Sequence, residues 1–293
     1  MAGNRRGGQE CDGRALELVA TDLDGTLLRS DGQISDRARA ALAAARRAGL
    51  PVVTVTGRPA AQARQLTAGS GMYPLAVCGN GAEICDLANG LVLRRDYVPL
   101  GAAIEMMGQL RARLPEVSCS WENHRGQGPG REREAVPRWP VAKLLIRCPG
   151  LPAEVLATQA RAVADGLTVT WSTGKTVEVL APGVSKGAAL ARLARWLGVS
   201  LADVLAIGDA QNDLSMLGVA RWAVAVRNAS PALLASADLI VASNDEEGVA
   251  QLLERLAADR QPPAFQFQVG RCPRAGQLSP ALQAQRAGPT DQT

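Results

Sequence analysis

Two carboxylates stand one residue apart in the run Thr21-Asp22-Leu23-Asp24-Gly25-Thr26, which directly follows an apolar segment. That segment, Leu16 to Thr21, has the composition of a buried strand. Two like charges about 4 Å apart repel each other by about 1 kcal/mol in water, and by about 4 kcal/mol where the effective dielectric constant is near 20. A cation is therefore expected beside Asp22 and Asp24.

Polar residues follow two further strand-like segments in the same way. Thr56-Gly57-Arg58 follows one of them, and the run from Gly208 to Asp213 follows the other. Ligands of open α/β sheets bind beyond the carboxyl ends of the strands, so we expect the three segments to meet. Oxygen ligands without a neighbouring His or Cys favour Mg²⁺. The meeting would gather four carboxylates: Asp22, Asp24, Asp209 and Asp213.

Lys186 is one of only three lysines in a chain that otherwise uses arginine for positive charge. It follows Ser185, a residue type that begins helices, and precedes a segment with helical periodicity. Helix N-termini favour anions, and a compact ammonium group suits a tight phosphate site. The sequence therefore predicts an anion-binding position at Lys186.

The elements that must position these residues follow an alternating pattern of short apolar runs and helical segments. This pattern predicts an α/β fold, with a Rossmann-like parallel sheet and helices on both of its faces. Residues 83–180 depart from the pattern and are predicted to form an inserted α/β cap domain. The catalytic core would then comprise residues 15–82 and 181–259. Residues 1–14 are predicted to be a disordered leader and residues 260–293 a disordered tail.

Composition limits the classes of partner. The hydrophobic content of 47% is sufficient for a buried core, and neither a membrane span nor a signal peptide is predicted, so we expect a cytoplasmic protein that does not bind membranes. The net charge of +4 lies in the two end segments, and the neutral remainder predicts no nucleic-acid partner. Six cysteines without a CxxC pair, together with a single His, argue against structural zinc. The oligomeric state is left open.

Four short segments carry a resemblance to a known superfamily. DLDGT, TGR, SKG and GDAQND occur in the order of the four motifs of the haloacid dehalogenase-like hydrolases, and the resemblance extends over about residues 16 to 257. The inserted α/β unit, the GNGA run at residues 79–82 and the APGVSKGAAL run resemble the Cof-type branch. Members of that branch are mostly Mg²⁺-dependent phosphatases of small phosphorylated metabolites.

The resemblance implies a role for each motif residue. Asp22 would attack phosphorus and form an aspartyl phosphate, and Asp24 would act as general acid and then as general base. Mg²⁺ would be held by Asp22, by the backbone carbonyl of Asp24 and by Asp209. Asp213 would either bind the metal directly or lie next to the ligands without binding the metal itself. The residues expected to bind the phosphoryl group are Thr56, Gly57, Lys186 and Asn212.

The predicted function is a Mg²⁺-dependent phosphatase that acts on a small phosphomonoester, for example a sugar phosphate. One alternative is a phosphomutase of a sugar phosphate, which would return the phosphoryl group to its substrate. Another is a non-catalytic phospho-receiver or binding module, in which a strand-end Asp accepts phosphate as a signal. Asp24 argues against the receiver, because an acid/base group beside the acceptor shortens the lifetime of the phosphorylated state.

Two segments of the predicted cap are open to more than one interpretation. Glu122 to Arg138 is rich in Gly and charge, which predicts a long exposed loop. It is either a solvated loop or a lining of the substrate entrance, with Arg125, Arg131 and Arg133 available to anionic or hydroxyl groups. The run from Ser172 to Thr176 resembles the end of a P-loop but lacks the leading Gly, so a hairpin turn is predicted.

Overall fold

The computed structural model describes residues 15–123, 126–128, 141–172 and 174–260 of the 293-residue chain. The strands in these ranges are β1 (Leu18–Thr21), β2 (Val52–Val55), β3 (Leu75–Cys78), β4 (Glu83–Asp86), β5 (Leu91–Arg95), β6 (Ser118–Asn123), β7 (Gly126–Gly128), β8 (Lys143–Arg147), β9 (Thr168–Trp171), β10 (Val177–Leu180), β11 (Val204–Gly208), β12 (Trp222–Val226) and β13 (Leu239–Val241). The helices are α1 (Asp36–Arg47), α2 (Ala60–Thr67), α3 (Leu100–Arg113), α4 (Ala153–Arg161), α5 (Lys186–Leu197), α6 (Leu214–Val219), α7 (Pro231–Ser236) and α8 (Gly248–Ala258).

The first sheet has eight strands in the order β13-β12-β11-β1-β2-β3-β4-β5. The six strands from β13 to β3 are parallel, and β4 and β5 continue the sheet in antiparallel pairing. Strand β1 lies between β2 and β11, and all four of its residues are buried. The predicted α/β fold with a Rossmann-like sheet is therefore confirmed. The strand order reverses at β1, the point at which such sheets bind ligands.

Local sequence signals explain where the helices begin and end. Helix α1 begins after Ser35, whose hydroxyl accepts a hydrogen bond of 3.0 Å from the N–H of Ala38, and it buries an alanine- and leucine-rich face. Helix α5 begins after Ser185 in the same way. It ends at Gly198, whose φ of 74° is the left-handed conformation that closes many helices. The predicted cap residue Ser185 thus sets the position of Lys186.

The second sheet is antiparallel, with the strand order β7-β6-β8-β10-β9. We call this sheet, together with helices α3 and α4, the cap. It has a hydrophobic core separate from that of the first sheet, and the members of this core include Met106, Leu110, Leu144, Ile146 and Leu156. The segment after Trp171 joins the antiparallel strands β9 and β10, as the predicted hairpin turn requires.

The hairpin of β4 and β5 belongs to the first sheet by hydrogen bonding. After the turn Gly79–Gly81 the chain reverses and pairs directly with β3, so that Glu83 lies opposite Cys78. The range of 83–180 predicted for the cap domain therefore includes a hairpin that extends the eight-stranded sheet. The division of the chain into domains otherwise stays a prediction.

Several predictions from the sequence fall on residues that the structure does not describe. These are the leader 1–14, the tail from residue 261 and the three loop arginines Arg125, Arg131 and Arg133. The loop was predicted to start at Glu122, but β6 extends to Asn123 and pairs with the short strand β7. Within the described ranges no helix is long and apolar enough to cross a membrane. The cytoplasmic location stays a prediction.

Candidate active site

Three adjacent parallel strands end at the candidate site. Asp22 follows β1, Thr56 follows β2 and Asp209 follows β11, and the N–H of Asp22 donates a 3.0 Å hydrogen bond to the carbonyl of Ile207 on β11. Because the strands are parallel, their carboxyl ends lie at one edge of the sheet. The three polar segments identified in the sequence therefore meet there.

Three carboxylates form a tight cluster at this edge. Oxygens of Asp22, Asp209 and Asp213 all lie within 4.8 Å of one another. Burial raises the pKa of Asp22 well above its ordinary value, Lys186 opposes that rise, and the charges of Asp213 and Asp209 add to it. Burial, and then the charge of Asp213, raise the pKa of Asp209 to about 6, although Thr26 donates a 2.8 Å hydrogen bond to its carboxylate. The cluster therefore carries negative charge that its surroundings do not fully balance.

Lys186 lies between two of these carboxylates and is fully buried. Its Nζ is 3.0 Å from Oδ1 of Asp22 and 2.6 Å from Oδ1 of Asp213. Burial alone would lower the pKa of Lys186, but the attraction of both aspartates outweighs it and raises the pKa above its ordinary value. The second oxygen of Asp213 accepts hydrogen bonds from the N–H groups of Asp209 (3.1 Å) and Ala210 (3.0 Å). Both oxygens of Asp213 thus have protein donors.

At Gly25 and Gly208 the backbone passes so close to the acidic cluster that a side chain would not fit. Gly25 has a φ of 73°, and a Cβ added to it would lie 2.6 Å from Oδ2 of Asp209. A Cβ on Gly208 would lie 2.6 Å from the side chain of Asp213. The carbonyl of Gly25 is in turn held by the side-chain amide of Asn228 at 2.8 Å. Larger residues at either glycine would displace the carboxylates.

The side chain of Asp24 lies outside the cluster of three carboxylates. It is half exposed and accepts two hydrogen bonds from Arg58, of 2.7 Å from Nε and 2.5 Å from Nη2. The metal ligand predicted at Asp24 is its backbone carbonyl, and the position of the side chain does not test that prediction. Arg58 had no assigned role in the sequence analysis, although it belongs to the same motif as Thr56 and Gly57.

The predicted phosphate-binding residues Thr56, Gly57 and Asn212 lie together around Asn80. The hydroxyl oxygen of Thr56 accepts a 3.1 Å hydrogen bond from the N–H of Arg58. A Cβ on Gly57 would lie 3.0 Å from Oδ1 of Asn80, and the amide of Asn212 donates a 2.9 Å hydrogen bond to that oxygen. Asn80 itself, with a φ of 58°, occupies the turn after β3.

A cavity of about 430 Å³ lies between the cap and the core residues Asp22, Gly57, Asp209 and Asn212. The core contributes the ends of β1, β2 and β11 to its walls, and the cap contributes residues of β6, β8 and β10. The cap side is mostly polar, and its lining includes Glu122, Lys143, Arg147, Thr176 and Glu178.

Sequence reasoning missed the buried charged residues of the cap. Lys143 is 2% exposed, and its Nζ lies 3.1 Å from Oε1 of Glu178 and 3.2 Å from Oε2 of Glu122. The same Nζ donates a 2.8 Å hydrogen bond to the backbone carbonyl of Gly57. A signal was present in the sequence, because Lys143 is one of the three lysines and interrupts an apolar run that extends from Val141 to Ile146.

Known proteins resemble this chain in sequence and in fold. The family model of the haloacid dehalogenase-like hydrolases matches residues 19–125 and 143–253. The chain is 33% identical over 248 residues to 5-amino-6-(5-phospho-D-ribitylamino)uracil phosphatase YcsE of Bacillus subtilis, an alignment that covers 81% of this chain and 94% of the relative. It is 28% identical over 241 residues to phosphoglycolate phosphatase of Methanothermobacter thermautotrophicus, and this alignment covers 82% of this chain and 98% of the relative. The fold resembles that of a haloalkanoate (HAD) superfamily phosphatase from Bacteroides thetaiotaomicron, with a TM-score of 0.71 and 23% identity. The match covers 86% of this chain and 99% of the solved structure.

Proposed function

Since the chain belongs to the haloacid dehalogenase-like hydrolases, as a phosphatase of their Cof-type branch, we propose that it hydrolyses a small phosphomonoester with Mg²⁺ through an aspartyl phosphate on Asp22. The observation that carries this proposal is the cluster of Asp22, Asp209 and Asp213, with oxygens within 4.8 Å of one another and Lys186 beside them. A carboxylate nucleophile, a cation site and a buried ammonium then lie within one small volume.

The acidic cluster fits a hard divalent cation. It offers only oxygen ligands, and burial and mutual repulsion raise the pKa values of Asp22 and Asp209, as expected where a positive charge is needed. We assign the side chains of Asp22 and Asp209, with the carbonyl of Asp24, as the ligands. Asp213 would hold Lys186 and the loop after β11, because both of its oxygens already accept protein hydrogen bonds. When bound, Mg²⁺ would reduce the repulsion between the Asp22 carboxylate and a phosphate dianion.

Asp22 is held for attack by Lys186. The ammonium lies 3.0 Å from Oδ1 of Asp22 and favours the ionised carboxylate, in opposition to the burial that raises the pKa of the group. One carboxylate oxygen of Asp22 would form a bond to phosphorus while the bond from phosphorus to the leaving oxygen breaks. Water would then attack the phosphorus of the aspartyl phosphate, release inorganic phosphate and restore the carboxylate.

Asp24 would give a proton to the leaving oxygen and later take one from the attacking water. General acid–base catalysis of this kind typically raises the rate by about 10²–10⁴-fold. In the structure its carboxylate is paired with Arg58 through two hydrogen bonds. The pair must open before Asp24 can turn to the leaving oxygen, and the exposure of both side chains permits this movement.

The size of the cavity supports a small substrate. Its volume of about 430 Å³ is in the lower part of the range of ligand pockets. The two relatives are named for 5-amino-6-(5-phospho-D-ribitylamino)uracil and for phosphoglycolate, both small phosphomonoesters. We therefore propose a small phosphorylated metabolite as the substrate, with sugar phosphates as the first candidates because the cap side of the cavity is polar.

The test is release of phosphate from a panel of phosphorylated metabolites and a chromogenic aryl phosphate. We expect multiple turnovers that require Mg²⁺, and a loss of at least about a thousandfold in Asp22→Asn. Asp36→Asn, which changes an exposed residue of α1, is the matched control and should behave as the wild type. A stable stoichiometric phosphoprotein would contradict the proposal in favour of a receiver. Conversion of a hexose 1-phosphate into its 6-phosphate would contradict it in favour of a mutase.

A further inference from the structure

Lys143 links the cap to the core through a backbone atom of the phosphate-binding segment. It lies on β8, across the cavity from the acidic cluster, and its Nζ donates a 2.8 Å hydrogen bond to the carbonyl of Gly57. Glu178 on β10 and Glu122 on β6 hold the ammonium at 3.1 and 3.2 Å. All three side chains are buried, so this contact is built into the site and is not a surface ion pair.

The carbonyl that Lys143 contacts belongs to the same peptide group as the N–H of Arg58. That N–H donates to the hydroxyl oxygen of Thr56 at 3.1 Å. Because a peptide group is planar, a donor held at its carbonyl also fixes the direction of its N–H. A threonine hydroxyl that accepts one hydrogen bond still has its own hydrogen to donate. Lys143 thus acts, through one peptide group, on the orientation of the Thr56 hydroxyl.

Glu178 connects the same network to a second core loop. One of its oxygens accepts from Lys143 and the other from the side-chain amide of Asn80. Asn80 packs against Gly57 and accepts a hydrogen bond from Asn212, two of the residues proposed to bind phosphate. The cap therefore reaches the phosphate-binding residues by two routes, directly at Gly57 and indirectly through Asn80.

We propose that Lys143 is a positioning residue. Held by Glu178 and Glu122, it orients the segment Thr56-Gly57-Arg58 so that the Thr56 hydroxyl and the Gly57 N–H face the transferred phosphoryl group. The phosphate site is then complete only when the cap is seated on the core. This inference rests on the proposed phosphatase function, and it adds that part of the phosphate site is controlled from the cap.

The test compares Lys143→Met with Lys175→Met, which removes an exposed lysine from the turn between β9 and β10. The probes are inorganic phosphate as a competitive inhibitor, a chromogenic aryl phosphate and the best metabolite of the panel. In Lys143→Met we expect the inhibition constant for phosphate to rise about tenfold to a hundredfold. We expect kcat/KM to fall by a similar factor for both substrates, whereas Lys175→Met should remain within about twofold of the wild type.

A double-mutant cycle tests whether Lys143 acts through Thr56. If it does, Thr56→Val loses the hydroxyl that Lys143 orients, and adding Lys143→Met should cost little more. Independent, multiplying losses would overturn this route. The cycle is informative because a merely structural role of Lys143 would not depend on the Thr56 hydroxyl.

Other outcomes separate this inference from the function on which it rests. An unchanged inhibition constant for phosphate, with a loss for the metabolite alone, would make Lys143 a contact to the leaving group and overturn the proposal. If Lys143→Met fails to fold, Lys143→Met with Glu178→Gln removes the ammonium and one carboxylate together and should show the same weakened phosphate binding. A wild type without Mg²⁺-dependent turnover would contradict the proposed function itself, whereas an active wild type that is insensitive to Lys143→Met would contradict only the role of Lys143.

Discussion

Two buried lysines stand near the candidate site, one in the core and one in the cap, and their surroundings differ. Lys186 of the core contacts Asp22 and Asp213 at the ends of parallel strands, where a third carboxylate, Asp209, adds negative charge. Lys143 of the cap contacts two glutamates, Glu122 and Glu178, and also a backbone carbonyl. The carboxylates raise the pKa of each lysine although burial opposes the rise.

This difference separates the reacting centre, where Lys186 holds Asp22, from the cap, where Lys143 positions a segment of the core. Asp22, which Lys186 holds, has a raised pKa and lies in a cluster whose charge is not balanced, so the core side is suited to a cation and a phosphate. Lys143 is paired with Glu122 and Glu178 across β6, β8 and β10, and it also donates a hydrogen bond to the carbonyl of Gly57. We therefore expect the two lysines to respond differently to the same substitution.

Among the changes that compare the surroundings of the two lysines, the largest effect is expected for Lys186→Met. It removes the cation that holds Asp22 and leaves buried carboxylates unpaired, so kcat should fall by roughly a hundredfold to a thousandfold. Steady-state hydrolysis of the aryl phosphate at saturating substrate measures this, with Lys175→Met as the control. A fall in kcat no greater than that in Lys143→Met would contradict the assignment of the reacting centre to the core side.

A smaller effect is expected for Glu178→Gln. The amide oxygen of Gln can still accept one hydrogen bond, from Lys143 or from Asn80, so the network loses charge but keeps part of its geometry. We expect kcat/KM for the aryl phosphate to fall by about tenfold or less, with most of the change in KM. A loss as large as that of Lys186→Met would show that the cap carboxylate takes part in the chemistry and would remove the distinction between the two regions.

The smallest effect is a thermal shift on adding Mg²⁺. Saturating Mg²⁺ should raise Tm by about 5–10 °C in the wild type and in Lys143→Met, but not in Asp209→Asn. The pKa of Asp209 is about 6 without the metal, so near pH 5.5 Mg²⁺ must displace a proton and near pH 7.5 it meets an ionised carboxylate. The shift should therefore be larger at the higher pH. An equal shift at both values, or one that persists in Asp209→Asn, would contradict the metal assignment.

The core side of the site could be predicted because its signals are local. Each polar segment directly follows an apolar strand, and parallel strands bring such ends to one edge of the sheet, so the meeting of Asp22, Thr56 and Asp209 follows from the pattern alone. Lys186 could be found from its place after a helix-starting serine. The roles of these residues in the reaction stay predictions until variants are measured.

The cap side could not be predicted because it depends on strand register. Glu122 lies directly opposite Lys143 in the pairing of β6 with β8, and Glu178 lies opposite Leu145 in the pairing of β10 with β8. Shifting either register by one residue would turn these side chains to the other face of the sheet, and nothing in the sequence sets the register of three strands so far apart in the chain. The β4 and β5 hairpin was likewise assigned to the cap, because nothing in the sequence of the hairpin indicates that β4 pairs with β3.

The proposed mechanism depends most on Asp22 as the residue that carries the phosphoryl group. The most direct measurement is mass spectrometry of the protein quenched in acid during turnover of the aryl phosphate with Mg²⁺. We predict a single added phosphoryl group on the peptide that contains Asp22, absent from Asp22→Asn and from samples without Mg²⁺. A phosphoryl group on another residue, or undiminished turnover by Asp22→Asn, would contradict the account.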